Sequence, residues 1–227
     1  MVKPTLIKFP ASKTSGTVSA LLLRPPEARR LFVFGHGAGA GMRHPFMEIV
    51  SQRLAEAGIA TFRYQFPYME NKIRRPDPRP VLLATVRAAI EAALKADDSL
   101  PLVAGGKSMG GRMTSLAASE EQLEGVHGIV FLGFPLHPPG NPGTARSDHL
   151  HKLNIPMLFL QGTRDKLANL DLLQSLCDNL PQATLHIVEG GDHSFKLLKG
   201  AGRTQDDTLD ELVGKTVEWT DRLLLQR

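Results

Sequence analysis

One segment limits the possible folds of this chain more than any other: residues 101–112, which read Pro-Leu-Val-Ala-Gly-Gly-Lys-Ser-Met-Gly-Gly-Arg. Residues 102–104 have the composition of a strand and stop at glycines, and residues 113–119 have the composition of a helix. Ser108 lies between them in a Gly-x-Ser-x-Gly pattern. A strand, this pattern and a helix in that order predict a nucleophile elbow, a sharp turn that lifts a serine clear of a sheet.

The spacing of the glycines has a steric reason. At such an elbow the incoming strand and the outgoing helix come close together, so Gly106 and Gly110 are predicted to have no room for a Cβ atom. The helix start beside Ser108 offers unpaired N–H groups and a positive dipole end, which suit an oxygen that becomes negative during a reaction. The alternative is a chance match in an ordinary strand-to-helix turn.

The composition indicates a folded globular chain. It has 227 residues, of which 42% are hydrophobic and 22% charged. The net charge of +4 is modest and the basic residues are mostly scattered, so we expect no nucleic-acid partner. The single cysteine, Cys177, excludes an internal disulfide and a multi-cysteine metal site. The N-terminus lacks the apolar core of a secretory signal, and no apolar run reaches about 18 residues, so we expect a cytoplasmic protein without a membrane span.

Strand and helix patterns alternate along the chain after an initial pair of strands. Such alternation predicts an α/β fold, with a mostly parallel sheet and helices on both faces, forming one domain over residues 1–227. Residues 67–80 and 136–148 are expected to be loops. The predicted strands cover residues 5–9, 17–23, 30–35, 59–66, 102–104, 126–134, 156–160 and 183–188, and the predicted helices cover residues 45–57, 81–95, 113–119, 168–179 and 208–225.

A serine alone is a poor nucleophile, so Ser108 needs a general base and the base needs an orienting acid. Asp165 follows the strand at 156–160, and His193 follows the strand at 183–188 after a Gly-Gly turn. The order serine, acid, histidine is the one expected for this kind of elbow. Taken singly, Asp165 could be a turn or helix-cap residue and His193 a surface histidine. Together with the elbow they predict a catalytic triad.

The loop after the third strand, His36-Gly-Ala-Gly-Ala-Gly, is the expected partner of the elbow. An oxyanion hole needs two backbone N–H donors, and we expect them at Ala38 and Met109. His36 is expected to position this loop. The alternative is a dinucleotide-binding loop, but the glycine spacing does not fit and no acidic residue ends the next strand.

Two other features point to weaker hypotheses. Arg74, Arg75 and Arg79 follow the strand at 59–66, where they could overhang the site and bind an anionic substrate or simply face solvent. The histidines lack the spacing of a zinc site, and no Cys pair is present, so we expect neither a metal nor another cofactor.

These landmarks resemble the α/β-hydrolase superfamily over nearly the whole chain. The short length, and the lack of a helical insertion after the strand at 126–134, resemble its compact, lid-less dienelactone-hydrolase-like branch. The resemblance implies a sheet of about eight strands and a cofactor-free serine esterase or related acyl hydrolase. The chain departs from dienelactone hydrolases proper by having Ser108 where they have cysteine. The leading hypothesis is hydrolysis of an ester, thioester or similar bond in a small acyl substrate. The alternatives are a non-catalytic binding or scaffold protein and an acyltransferase.

Overall fold

The computed structural model describes residues 2–12 and 14–225, so residues 1, 13, 226 and 227 of the predicted 1–227 domain lie outside it. The eight strands form one sheet in the order β1-β2-β4-β3-β5-β6-β7-β8. The strands are β1 (Thr5–Ser12), β2 (Gly16–Leu23), β3 (Arg30–Gly35), β4 (Ile59–Tyr64), β5 (Leu102–Lys107), β6 (Val126–Leu132), β7 (Met157–Gly162) and β8 (Ala183–Val188).

Helices cover both faces of this sheet. The side chains of α1 and α6 pack on one face, and those of α3, α4 and α5 pack on the other. The helices are α1 (Pro45–Glu56), α2 (Pro67–Glu70), α3 (Arg79–Ala96), α4 (Met109–Glu120), α5 (Leu170–Asp178) and α6 (Gln205–Leu225), with a short 3₁₀ helix at Asp148–Lys152. The predicted fold class is confirmed.

Strand directions place the candidate residues at one edge. β1 and β2 are an antiparallel pair, β2 is also antiparallel to β4, and all later pairings are parallel. β3, β4 and β7 are buried along their whole length, as expected for strands covered on both faces. Because parallel strands share an edge, the loops after β3, β5, β7 and β8 all open on the same rim.

The structure corrects some predicted boundaries. The strand at 59–66 ends at Tyr64, and the segment 67–80 is not wholly loop, because α2 forms within it and α3 begins at Arg79. Both of these helices start with proline among their first residues, which suits a helix N-terminus. The strand at 126–134 ends at Leu132, since Gly133 adopts a left-handed conformation with φ 72°.

One connection bears on access to the sheet edge. The segment between β6 and β7 contains only the short 3₁₀ helix, so no helical insertion covers the rim there. Among residues 2–12 and 14–225, no helix combines the length and apolarity required to cross a bilayer.

Candidate active site

Ser108 occupies the strained turn that the sequence predicts. It lies between β5 and α4 with φ 50° and ψ −113°, a combination that residues with a side chain rarely adopt. The turn is held on both sides: the Ser108 N–H donates to the Leu132 carbonyl at 3.1 Å, and the Ser108 carbonyl accepts from the Arg112 N–H at 3.1 Å. Backbone hydrogen bonds to β6 and α4 therefore fix the direction of the serine side chain.

The two flanking glycines are required for close packing. A Cβ atom at Gly106 would lie 2.2 Å from the Gly35 carbonyl oxygen, and one at Gly110 would lie 2.3 Å from the same atom. Both distances are far below van der Waals contact. The predicted steric role of Gly106 and Gly110 is confirmed, and the crowding partner is the end of β3.

Three side chains that are far apart in sequence form a continuous hydrogen-bonded chain. His193 Nε2 lies 2.9 Å from Ser108 Oγ, and His193 Nδ1 lies 2.7 Å from Asp165 Oδ2. Because a carboxylate only accepts hydrogen bonds, Nδ1 carries the proton that it donates to Asp165. In the neutral imidazole Nε2 is then an acceptor for the Ser108 hydroxyl. The structure thus brings together Ser108, Asp165 and His193.

The Asp165 carboxylate is almost fully buried, with 1% of its side chain exposed. Its Oδ2 atom also accepts a hydrogen bond from Gln161 Nε2 at 2.6 Å, and its Oδ1 atom accepts one from the Leu167 N–H at 2.8 Å. Gln161, which is buried near the end of β7, is not among the residues predicted from the sequence. An amide side chain in an otherwise apolar strand was the one available signal.

The glycine-rich loop after β3 lies against the turn at Ser108. A Cβ atom at Gly37 would lie 3.7 Å from the Cβ of Ser108. The Gly39 N–H donates to the Tyr68 hydroxyl at 3.1 Å, which ties the loop to α2. Ala38 and Ser108 line the same cavity. Met109 is the first residue of α4, where an N–H group has no acceptor within the helix.

His36 contacts this loop from the protein interior. It is fully buried, its Nε2 accepts a hydrogen bond from the Phe66 N–H at 3.2 Å, and its Nδ1 lies 2.8 Å from the Gly37 carbonyl oxygen. Burial lowers the pKa of His36 to about 4, because the protonated ring would lose its hydration. Neutral His36 therefore joins the loop after β3 to the loop after β4.

This burial predicts acid sensitivity of the fold. An unfolded histidine titrates near pH 6.5. Between about pH 6.5 and about pH 4 the unfolded chain therefore binds a proton at residue 36, whereas His36 of the native protein stays neutral. Stability is therefore lost as the pH falls, and His36 alone should lower the free energy of unfolding by about 2 kcal/mol between about pH 7 and pH 5. Urea unfolding at both pH values measures this difference. It should be smaller in His36→Gln, whereas the exposed-site control His151→Gln should keep it; equal losses in all three proteins would contradict the prediction.

A cavity of about 340 Å³ opens beside the serine. Its walls combine backbone of the glycine-rich loop with apolar side chains and the serine–histidine pair. The lining residues are Gly37, Ala38, Ala40, His44, Phe46, Met47, Lys107, Ser108, Leu167, His193 and Ser194. The cavity is of a size for a small organic group.

The arginines considered for anion binding lie elsewhere. Arg74 and Arg75 are exposed in the loop between α2 and α3, and Arg79 begins α3 and pairs with Glu120 at 3.4 Å. None of the three lines the cavity beside Ser108. Among the described residues, no group of three or more His, Cys, Asp and Glu side chains is placed to hold a metal ion.

Residues 28–221 match the protein family described as the alpha/beta hydrolase domain. The chain belongs to this family. Its curated relatives include two Mycobacterium tuberculosis proteins provisionally described as phosphoribosyl transferases, each 26% identical over 207 residues. The match covers 89% of this chain but only 43% of each relative, so the chain spans less than half the length of those proteins.

Solved structures of other alpha/beta hydrolases share the fold. A dienelactone hydrolase from Anabaena variabilis superposes with a TM-score of 0.74 at 20% identity, over 97% of this chain and 98% of that one. A lid-less α/β serine hydrolase from Xanthomonas campestris superposes with a TM-score of 0.72 at 19% identity, over 96% and 95%. The resemblance inferred from the sequence is confirmed at the level of the superfamily.

Proposed function

We propose that this alpha/beta hydrolase cleaves an ester, thioester or related acyl bond through an acyl-enzyme intermediate on Ser108. The proposal depends above all on the two hydrogen bonds of His193, one to Ser108 and one to Asp165. A nucleophile, a base and an orienting acid within bonding distance are the parts that acyl transfer to serine requires.

The arrangement supports a two-stage reaction. Ser108 Oγ attacks the substrate carbonyl carbon while its proton passes to His193 Nε2. The tetrahedral intermediate collapses when the imidazolium returns that proton to the leaving oxygen or sulfur, which leaves the acyl group on Ser108. Water then attacks the acyl carbon with His193 again as base, and the second collapse releases the acid and restores the serine. Throughout, Asp165 holds the ring and stabilises its charged form.

Two backbone N–H groups, those of Ala38 and Met109, are our candidates for the oxyanion hole. Ala38 lies on the loop that packs against the elbow, and Met109 is at the positive end of α4. Donors of this kind lower the barrier by about 3 kcal/mol each, because they meet the charge only as it develops on the carbonyl oxygen.

The cavity favours small substrates. About 340 Å³ accommodates a short acyl or alkyl group against Phe46, Met47 and Leu167. The chain provides no helical lid between β6 and β7 that would enclose a longer one.

The alternatives are a non-catalytic binding or scaffold protein and an acyltransferase that uses an acceptor other than water. A binding or scaffold protein needs no hydrogen-bonded chain from a serine through a histidine to an aspartate, so the alignment of Ser108, His193 and Asp165 favours an enzyme. Product analysis with added alcohols or amines separates transfer from hydrolysis. The names of the longer mycobacterial relatives do not change the proposal, since a serine–histidine–aspartate array fits acyl chemistry and not phosphoribosyl transfer.

Covalent labelling tests the proposed function directly. A fluorophosphonate should add one phosphonyl group to the wild-type protein, and peptide mass spectrometry should locate it on Ser108. Ser119→Ala provides a matched control, because Ser119 lies on α4 and bonds only the Leu116 carbonyl within the described contacts. We expect labelling in this control and none in Ser108→Ala. An unlabelled wild-type protein would favour the scaffold alternative.

A further inference from the structure

A lysine, Lys107, occupies the position just before the proposed nucleophile. Lys107 is the last residue of β5, and it lines the cavity together with Ser108 and His193. The residue is half-buried, and its aliphatic stem lies against the glycine-rich loop, because a Cβ atom at Gly37 would be 3.6 Å from Lys107 Cγ.

The contacts of the ammonium group are with the loop after β8, residues 189–196, which we call the histidine loop. Lys107 Nζ donates a hydrogen bond to the backbone carbonyl of His193 at 2.5 Å. It also lies 5.4 Å from the ring centroid of Phe195, within the range of a cation–π contact. Lys107 thus joins the strand that carries the nucleophile to the loop that carries the imidazole.

The histidine loop has a conformation that needs such support. Phe195 has a φ of 59°, which is unfavourable for a residue with a large side chain. Its ring is fully buried and stacks on Phe46 with centroids 6.0 Å apart. The loop therefore approaches Ser108 in a strained shape, and contacts at its middle hold it there.

Room for the ammonium group is provided by the end of β6. A Cβ atom at Gly133 would lie 3.0 Å from Lys107 Nζ, 3.4 Å from the His193 carbonyl oxygen and 3.6 Å from Asp165 Oδ2. The amine, the carbonyl and the carboxylate thus surround the same point. Among the described residues no carboxylate forms an ion pair with Lys107 within 4.0 Å, and the charges that act on it are those of Asp165 and Asp192.

We propose that Lys107 is a positioning residue for the hydrolytic reaction: its ammonium group holds the His193 backbone so that the imidazole stays aligned with Ser108. The inference rests on the proposed function. It assigns Lys107 no proton transfer and no contact with the reacting atoms. Its effect comes from geometry, since a displacement of about 1 Å at a catalytic group can cost about a hundredfold in rate.

The charge of Lys107 gives this role a signature in the pH profile. Burial lowers the pKa of Lys107 to about 8, while the carboxylates of Asp165 and Asp192 act in the opposite direction. Above that pH the neutral amine donates a weaker hydrogen bond, since charge-assisted bonds are roughly twice as strong as neutral ones. Activity that depends on the ammonium form should therefore decline as the pH rises through about 8. An arginine stays charged throughout this range.

The test compares Lys107→Met, Lys107→Arg and the control Lys196→Met. Lys196 lies on the same loop, but its side chain is exposed, so its replacement removes a nearby charge without removing the tie. Hydrolysis of p-nitrophenyl acetate and the rate of fluorophosphonate labelling are measured from about pH 6 to about pH 10. Amide hydrogen exchange of residues 189–196 is measured in parallel, because it reports the loop without requiring turnover.

We expect Lys107→Met to lower kcat about 10- to 100-fold with little change in KM, to lose the alkaline decline and to exchange faster at residues 189–196. Lys107→Arg should recover most of the rate and move the decline to higher pH, and Lys196→Met should behave as wild type.

Wild-type kinetics and exchange in Lys107→Met would overturn the inference while leaving the proposed function intact. If that variant does not fold, an unchanged decline near pH 8 in Lys107→Arg overturns it instead. A wild-type protein that does not label overturns the proposed function, and faster exchange in Lys107→Met would still support the structural tie.

Discussion

Replacing Ser108 with alanine will lower kcat for a p-nitrophenyl ester by about 10⁶-fold, the size of effect seen when a serine nucleophile is removed. The variant has no oxygen with which to form the acyl-enzyme, so only binding and oxyanion stabilisation remain. The fold should persist, because the backbone at the elbow is held by bonds to Leu132 and Arg112 that do not involve the side chain. End-point assays at high protein concentration measure the residual kcat, and circular dichroism measures whether the fold persists.

A second substitution makes this result more decisive. In the double variant Ser108→Ala, His193→Ala, kcat should fall no further than in Ser108→Ala alone, because the residues of a triad act as one unit and their effects do not add. Additive losses would mean that His193 acts independently of Ser108. A Ser108→Ala protein with more than about 1% of wild-type activity would exclude a serine nucleophile at this position.

Replacing Asp165 with asparagine should lower kcat by about 10⁴-fold. Asp165 Oδ2 now accepts hydrogen bonds from both His193 Nδ1 and Gln161 Nε2. An asparagine that places its NH₂ group toward the imidazole makes Nδ1 the acceptor, so the proton moves to Nε2 and the ring can no longer take one from Ser108. The Gln161 amide, whose oxygen accepts from the Phe134 N–H, then loses its own acceptor at residue 165. The shape of the site is kept, and the loss arises from the wrong tautomer.

Asp98→Asn is the matched control, because Asp98 is exposed in the loop between α3 and β5. Its kinetics should equal those of the wild-type protein. A loss of less than about tenfold in Asp165→Asn would assign the orienting role to another group.

The elbow and the fold class were accessible from the sequence because both depend on local patterns. The turn at Ser108 is encoded by two glycines and by the change from strand to helix composition, and the structure shows the crowding that those glycines relieve. The parallel sheet follows from alternating elements. Since parallel strands share an edge, residues such as Asp165 and His193 could be expected near Ser108 without knowledge of their distances, and their catalytic roles stay predictions.

Features that depend on partners from distant elements could not be predicted. In the sequence, Gln161 is an ordinary residue of β7, and its role depends on a hydrogen bond to Asp165 that only the fold brings about. Lys107 is in the same way a variable position of the elbow pattern, and its hydrogen bond to the His193 carbonyl depends on the fold. The helix α2 has only four residues, too few to show a periodic pattern. Arg79 was predicted to belong to a basic loop, whereas it begins α3 and pairs with Glu120 of α4. A pairing between two helices leaves no local pattern in the sequence.

The imidazole that we propose as the base lies on the loop after β8, the last of the described strands along the chain, so a growing polypeptide gains it after Ser108 and Asp165. β8 adds to the sheet by pairing with β7, after every other strand has left the ribosome. A chain whose synthesis stops before residue 193 carries the serine and the aspartate without a base. By the proposed mechanism, products of translation that end before residue 193 should therefore be inert toward esters.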